Sequence, residues 1–137
     1  MTTGPVTGVL ARATFVQDVR PSDARAGADY QRVTADRRAY FVKRLSPATD
    51  WIMRITGDHV HRTYLTWQAG IMDKTPACID HTIIAMELTG AGDQAVLSML
   101  MHDVGPCLVP PGDTPVPQAQ HEAFLAHMTK MSAAFWD

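Results

Sequence analysis

The chain has 137 residues and a formal net charge of −2, with 46% hydrophobic and 19% charged residues. The length is that of one domain or one lobe, and the composition excludes an intrinsically disordered chain. No apolar run approaches the ~20 residues that cross a bilayer, and residues 1–5 lack the basic and apolar regions of a signal peptide. We therefore predict a cytoplasmic protein without a membrane partner.

The charges are unevenly distributed along the chain. Residues 1–62 carry ten Lys and Arg against six Asp and Glu, whereas residues 63–137 carry two against eight. A basic first half suits anionic ligands such as nucleotide phosphates. The signs are too mixed for a nucleic-acid-binding surface, which would be a basic stripe, so we expect no nucleic-acid partner.

The first half of the chain is predicted to form three strands. Phe15–Val19 is the first, and a loop of small and polar residues follows at Ser22–Ala28. Tyr30–Thr34 is the second strand, and Asp36 and Arg37 turn the chain into the third, Ala39–Leu45. Residues 29–45 are thus expected to form a hairpin, although the Asn-Gly or Asp-Gly turn dipeptide is missing.

Lys43 lies on the more apolar face of the third predicted strand. Alternation places it with Ala39, Phe41 and Leu45. A long ammonium side chain there must find an anionic partner or extend to water. Two interpretations fit: a lysine that contacts nucleotide phosphates, or an edge-strand lysine whose stem packs on the sheet while its charge is hydrated.

Two short helices and a second hairpin are predicted next. Ser46-Pro47 is a suitable helix start, with a hydroxyl cap and proline at the first position, and Gly57 a suitable stop. A second helix covers about His61–Gln68. Strands are then predicted at Ile79–Leu88 and Val96–Met101, separated by a glycine-containing turn.

The last part of the chain is predicted to be a connector followed by a helix. Residues 104–117 contain five of the nine prolines, which indicates an extended segment. From Gln118 onward, large apolar residues recur at spacings of three and four, at Phe124, Leu125, Met128, Met131 and Phe135. The complete prediction is an α+β fold: a five-stranded antiparallel sheet, one or two helices against it, and a C-terminal amphipathic helix.

Several segments of the chain resemble a known family. From about residue 12, the chain is similar to the N-terminal part of aminoglycoside phosphotransferase-type small-molecule kinases. The resemblance rests on Asp18–Ala24, Tyr40–Lys43, Asp50–Arg54, Pro76–His81, Leu100–Pro106 and the helix from His127 to Trp136. It implies a kinase-like N-lobe over residues 1–104, a proline-rich linker over 105–117, and the first helix of a C-lobe over 118–137.

The resemblance also implies an ATP site. Lys43 would bridge the α- and β-phosphates, under a loop at Ser22–Ala28 that has Gly27 as its single glycine. Met101–Val104, which includes Asp103, would be the hinge that meets the adenine edge. Asp50 would pair with Lys43, with Asp58 as the other candidate, although both acids could instead serve as helix caps.

The resemblance assigns no catalytic residue or metal ligand to this chain. The family's catalytic Asp, the Asn after it and the metal-binding Asp would follow the last helix. His102-Asp103 lies in the hinge segment without an Asn at the required spacing, so we reject it as the catalytic base. The expectation is a lobe that binds nucleotide weakly and is inactive alone. In the complete enzyme, with Mg²⁺, the γ-phosphoryl group of ATP would pass to a hydroxyl of a small polar acceptor.

Two other kinds of function stay open from the residues. The apolar face of the helix over 118–137 could dimerise or bind a partner, which would make the chain a non-catalytic interaction module. Cys78, His81, His102 and Cys107 could form a Cys2His2 zinc site if the two hairpin ends met. Otherwise the two cysteines are expected to be free and buried, and His59 and His61 to be surface histidines.

Overall fold

The computed structural model describes residues 4–20, 26–109, 112 and 114–136. Within them lie five strands: β1 (Ala13–Val19), β2 (Asp29–Ala35), β3 (Arg38–Leu45), β4 (Ile83–Thr89) and β5 (Val96–His102). All neighbouring strands are antiparallel, in the order β1-β2-β3-β5-β4. The helices are α1 (Pro5–Leu10), α2 (Trp51–Ile55), α3 (Arg62–Gln68) and α4 (Gln118–Ala134). The predicted α+β class and five-stranded antiparallel sheet are confirmed.

The β2–β3 hairpin turns at Asp36 and Arg37, as predicted. Both residues have positive φ angles, 50° and 62°. A two-residue turn with positive φ at both positions matches the right-handed twist of the strands, which is why glycine or asparagine usually occupies it. The Asp36 carboxylate accepts a hydrogen bond of 3.1 Å from Arg12 Nε, and this contact ties the turn to the segment before β1.

The predicted start of the first helix after β3 was wrong. Ser46 forms a local turn instead, in which its carbonyl oxygen accepts from the N–H groups of Thr49 and Asp50, at 3.1 and 2.8 Å. The helix begins at Trp51 with Asp50 as its N-cap, because Asp50 Oδ1 accepts from the N–H groups of Ile52 and Met53. Gly57 follows the helix with φ 62°, as expected for a stop.

The predicted start of β4 was also wrong. The strand begins at Ile83 rather than Ile79. Asp80 Oδ1 accepts from Thr82 N–H, and His81 Nδ1 accepts from Ile83 N–H. Thr82 has φ 60°, which a strand does not allow. Side-chain hydrogen bonds to the backbone therefore keep residues 80–82 out of the sheet.

The sheet packs on both faces. On one face, Val33, Val42 and Leu100 form a buried cluster with Val6 of α1. On the other, Leu97, Met86 and Met99 are buried, and Tyr64 and Trp67 of α3 pack against them. Helix α1 was missing from the sequence prediction. The second face is the one that carries Lys43, because Lys43 is directly paired with Met99.

Helix α4 contains no buried residue. Most of its large apolar side chains are exposed, and Trp136 just beyond it is 83% exposed. Between β5 and α4, residues 105–107 form a single 3₁₀ turn rather than extended chain, while residues 110, 111 and 113 of the predicted connector lie outside the described residues. No helix in the described part of the chain has the length and apolar character that a membrane span requires.

Candidate functional site

Lys43 lies in the middle of the sheet, not at an edge. The register pairs it with Tyr30 on β2 and Met99 on β5, so β3 is hydrogen-bonded on both sides. The edge-strand interpretation of Lys43 is therefore wrong. A lysine on a central strand has its backbone held by two ladders, which makes its Cα a rigid point from which the side chain extends.

The Lys43 ammonium has no ion pair with any described residue. Its Nζ atom lies 5.8 Å from the centroid of the Tyr30 ring, and that ring packs at 5.9 Å against the Phe41 ring. A cation over an aromatic face is stabilised modestly, by about 0.5–1 kcal/mol at a partly exposed site. The charge is thus oriented by the sheet and is not neutralised by any residue that the structure describes.

Lys43 lines a cavity of about 250 Å³ between β3 and the helices that follow it. Three further polar side chains with ionisable groups share this lining: Asp50, Asp58 and His61. The remaining walls are mostly apolar, formed by Ala26, Leu45, Ile52, Met53, Thr63 and Leu97. A concave surface with apolar walls and a few convergent polar groups is the usual form of a ligand site. We call it the Lys43 cavity.

Asp50 is the N-cap of α2 and is only 3% exposed. Its Oδ1 atom accepts two backbone hydrogen bonds, of 2.9 and 3.1 Å, whereas Oδ2 accepts none from a described residue. The resemblance implied an ion pair between Asp50 and Lys43. The structure places both in the lining of one cavity without that ion pair, so Asp50 Oδ2 and the Lys43 ammonium have no ion-pair partner among the described residues.

Asp58 follows the C-terminal end of α2, just before α3, whereas Asp50 precedes α2. Its Oδ1 atom accepts a 2.9 Å hydrogen bond from Arg62 N–H, and the Arg62 Nε atom lies 4.0 Å away. Asp58 therefore satisfies the start of α3 and is partly neutralised by Arg62. Of the two acids considered as partners of Lys43, Asp50 is the one without a counter-ion among the described residues.

His61 is buried, which corrects its prediction as a surface histidine. It is 2% exposed, and neither ring nitrogen has a hydrogen-bond partner within the described residues. Its backbone has φ 53° and ψ 65° at the N-cap of α3, a left-handed conformation that is uncommon outside glycine. An unsatisfied buried polar group costs about 1–3 kcal/mol, and such costs concentrate at functional sites. His59, in contrast, is exposed and contacts Asp93 at 2.8 Å.

A second cavity, of about 240 Å³, lies where β5 ends. Met101 and Asp103 line it, as do Phe41, Val104 and Leu108. Asp103 Oδ2 lies 3.3 Å from Arg32 Nε, and Asp103 Oδ1 accepts from Gly105 N–H at 2.9 Å. The predicted hinge segment thus borders an apolar cleft on the face that carries Lys43, with Asp103 tied to β2 by an ion pair. We call it the hinge cavity.

Gly27 is required for a close backbone approach. Its φ angle is 94°, and a Cβ atom there would collide with the carbonyl oxygen of Thr49. The neighbouring carbonyl of Ala26 accepts from Trp51 N–H at 3.0 Å, so this segment is held against the start of α2. Gly27 also borders a cavity of about 560 Å³ between the end of β1 and the start of β2. Residues 22–25 of the predicted phosphate loop lie outside the described residues.

The zinc interpretation fails on geometry. Among the described residues, no three or more His, Cys, Asp or Glu side chains are grouped to hold a metal ion. His81 Nδ1 already accepts from Ile83 N–H. The cysteines are free, as predicted, but Cys107 is exposed and Cys78 is half-buried, so their predicted burial was wrong.

Comparisons with family models, curated proteins and solved structures found no match to this chain.

Proposed function

We propose that the chain is a nucleotide-binding lobe of an ATP-dependent small-molecule phosphotransferase, with Lys43 as the residue that holds the phosphates. The observation that carries the proposal is the Lys43 ammonium, which lies on a central strand in the lining of a partly polar cavity and has no ion pair within the described part of the chain. A free cation oriented by a rigid strand is suited to bind an anion at little reorganisation cost.

The order of elements supports the same proposal. The sheet order β1-β2-β3-β5-β4, with two helices between β3 and β4, agrees with the kinase-like N-lobe that the resemblance implies. Phe41 of β3 is paired with Met101 of β5, and the next pair on the same face of the sheet is Lys43 with Met99. A purine in the hinge cavity would therefore place its phosphates toward Lys43, with the ring against Phe41 and Met101.

The test is nucleotide binding by a variant that loses the charge but keeps the stem. Lys43→Met should weaken ATP binding by about 10- to 100-fold, because one charge-assisted contact is worth about 1.5–3 kcal/mol. Adenosine binding should change little, since adenosine has no phosphate. Isothermal titration calorimetry with ATP and adenosine measures both.

The matched control is Lys130→Met, which removes an exposed lysine of α4. It should leave both affinities unchanged. Equal ATP affinity for the wild-type protein and Lys43→Met would overturn the proposal, as would the absence of any nucleotide binding by the wild-type protein.

A second candidate function is favoured by the exposure of α4. Phe124, Leu125 and Met128 are 40%, 52% and 65% exposed and lie on one side of the helix, so the helix could associate with a second copy or a partner. If it dimerises, Phe124→Asp should yield a monomer in multi-angle light scattering, whereas Ala126→Asp on the opposite side should not. A monomeric wild-type protein across accessible concentrations would exclude self-association.

A further inference from the structure

The lining of the Lys43 cavity contains two carboxylates and one ammonium, which is an unfavourable balance for binding an anion. One ammonium faces it, but so do the carboxylates of Asp50 and Asp58. Arg62 partly neutralises Asp58, whereas Asp50 has no basic partner among the residues that the structure describes. A nucleotide phosphate bound by Lys43 would therefore be repelled by Asp50 unless a cation lay between them.

We propose that Asp50 binds a divalent cation, Mg²⁺, that enters with the nucleotide phosphates. This inference rests on the proposed function and adds a metal ligand within these residues. Mg²⁺ takes oxygen ligands, keeps several waters, and is usually held by one or two carboxylates together with substrate phosphates. Asp50 is 3% exposed and lines the same cavity as Lys43, and its Oδ2 atom accepts no hydrogen bond from a described residue.

The arrangement fits a cation that is shared with the ligand. No three acidic, histidine or cysteine side chains are grouped as a metal site among the described residues, so those residues alone do not form a complete Mg²⁺ site. Phosphate oxygens would complete the coordination. Lys43 and Mg²⁺ would then neutralise the phosphates from two sides, and the Asp50 charge would be compensated.

His61 is an independent sign that the cavity binds a polar ligand. His61 is among the residues that line the cavity, is 2% exposed, and has no hydrogen-bond partner among the described residues at either ring nitrogen. Imidazole offers one donor and one acceptor when neutral. A rotation of the ring would direct a nitrogen toward a phosphate oxygen or a water of the Mg²⁺ shell, which would satisfy the group that is unpaired without ligand.

The experiment compares ATP binding in Mg²⁺ and in EDTA for the wild-type protein and Asp50→Asn. Asparagine caps helices as well as aspartate does, so the variant removes the charge and keeps the start of α2. The wild-type protein should bind ATP at least about tenfold more tightly with Mg²⁺. In Asp50→Asn the ratio of the ATP affinity in Mg²⁺ to that in EDTA should fall toward one. The main reason is that ATP binds more tightly in EDTA once the Asp50 charge is removed. Asp73→Asn, an exposed carboxylate elsewhere, should keep the wild-type ratio.

Mn²⁺ provides a readout other than affinity. Water-proton relaxation should show Mn²⁺ bound to the wild-type protein only when ATP is present, with a smaller enhancement for Asp50→Asn. Thermal unfolding checks that the variant is folded. A wild-type affinity for ATP that is equal with and without Mg²⁺, or a full Mg²⁺ effect in Asp50→Asn, overturns the inference and leaves the proposed function intact. A wild-type protein that binds ATP in neither condition overturns the proposed function itself.

Discussion

Replacement of Leu100 by alanine is expected to lower the free energy of unfolding by about 3 kcal/mol. Leu100 is 1% exposed on β5, an interior strand of the sheet between β3 and β4. It packs with Val6, Val33 and Val42 under helix α1. Alanine would remove three side-chain carbon atoms and leave a cavity. Because β5 is hydrogen-bonded to a strand on each side, the backbone cannot move to fill that cavity.

Urea denaturation followed by circular dichroism measures this effect. Leu125→Ala, a leucine on α4 that is 52% exposed, is the control and should change stability by less than about 0.5 kcal/mol. A Leu100→Ala protein as stable as the wild type would mean that the cluster beneath α1 does not form the core described above.

Replacement of Glu87 by alanine is expected to lower the free energy of unfolding by about 2 kcal/mol at neutral pH. The Glu87 carboxylate joins β4 to α1: Oε2 accepts from the N–H groups of Val6 and Thr7, at 3.0 and 2.9 Å, and Oε1 accepts from the Thr7 hydroxyl at 2.7 Å. Helix α1 is only six residues long, so this anchor substitutes for the hydrogen bonds that a short helix lacks at its start.

The same contacts make the Glu87 contribution depend on pH. The hydrogen bond from the Thr7 hydroxyl, followed by that from Thr7 N–H, lowers the pKa of Glu87 below its usual value of 4.5, although partial burial opposes the shift. A carboxyl group with a lowered pKa in the folded state stabilises the fold above the pKa of the unfolded chain. The stabilisation is lost as the pH falls through the folded pKa.

Denaturation of the wild type and Glu87→Ala at pH 7 and in steps below pH 4.5 measures both effects. The difference between the two proteins should be full at pH 7 and should shrink on acidification. Glu122→Ala is the matched control, because it removes an exposed α4 carboxylate that accepts a hydrogen bond from Gln118 of the same helix. A difference that grows on acidification would contradict the assignment of Glu87 as an ionised anchor.

Strand positions and the face of Lys43 were predictable because a strand repeats every two residues. Val42 and Phe41 alternate across β3, and the hairpin partner of β3 is adjacent in the chain. The predicted boundaries failed where two local arrangements competed. Ser46 and Asp50 are both suitable helix N-caps, and the helix begins after Asp50. At β4, the side chains of Asp80 and His81 accept hydrogen bonds from nearby N–H groups, and the strand therefore begins later than predicted.

Helix α1 and the burial of His61 could not be predicted from the local sequence. Residues 5–10 are too few to show a helical period, and they are held by Glu87, 80 positions later in the chain. His61 stands among Asp58, His59 and Arg62, a context typical of the surface. Proline after Gly4 was the one sign of a helix start that could have been used.

The local pattern of side chains was sufficient for the five strands and helices α2 to α4, for the antiparallel sheet and for the side of β3 from which Lys43 projects, because these depend on residues a few positions apart. The candidate site was not accessible in this way. Asp50 and His61 reach the Lys43 cavity only because the helices between β3 and β4 fold back onto one face of the sheet. Whether two charges pair is set by ångström differences in that packing, and the Lys43 ammonium and the Asp50 carboxylate are left unpaired by it.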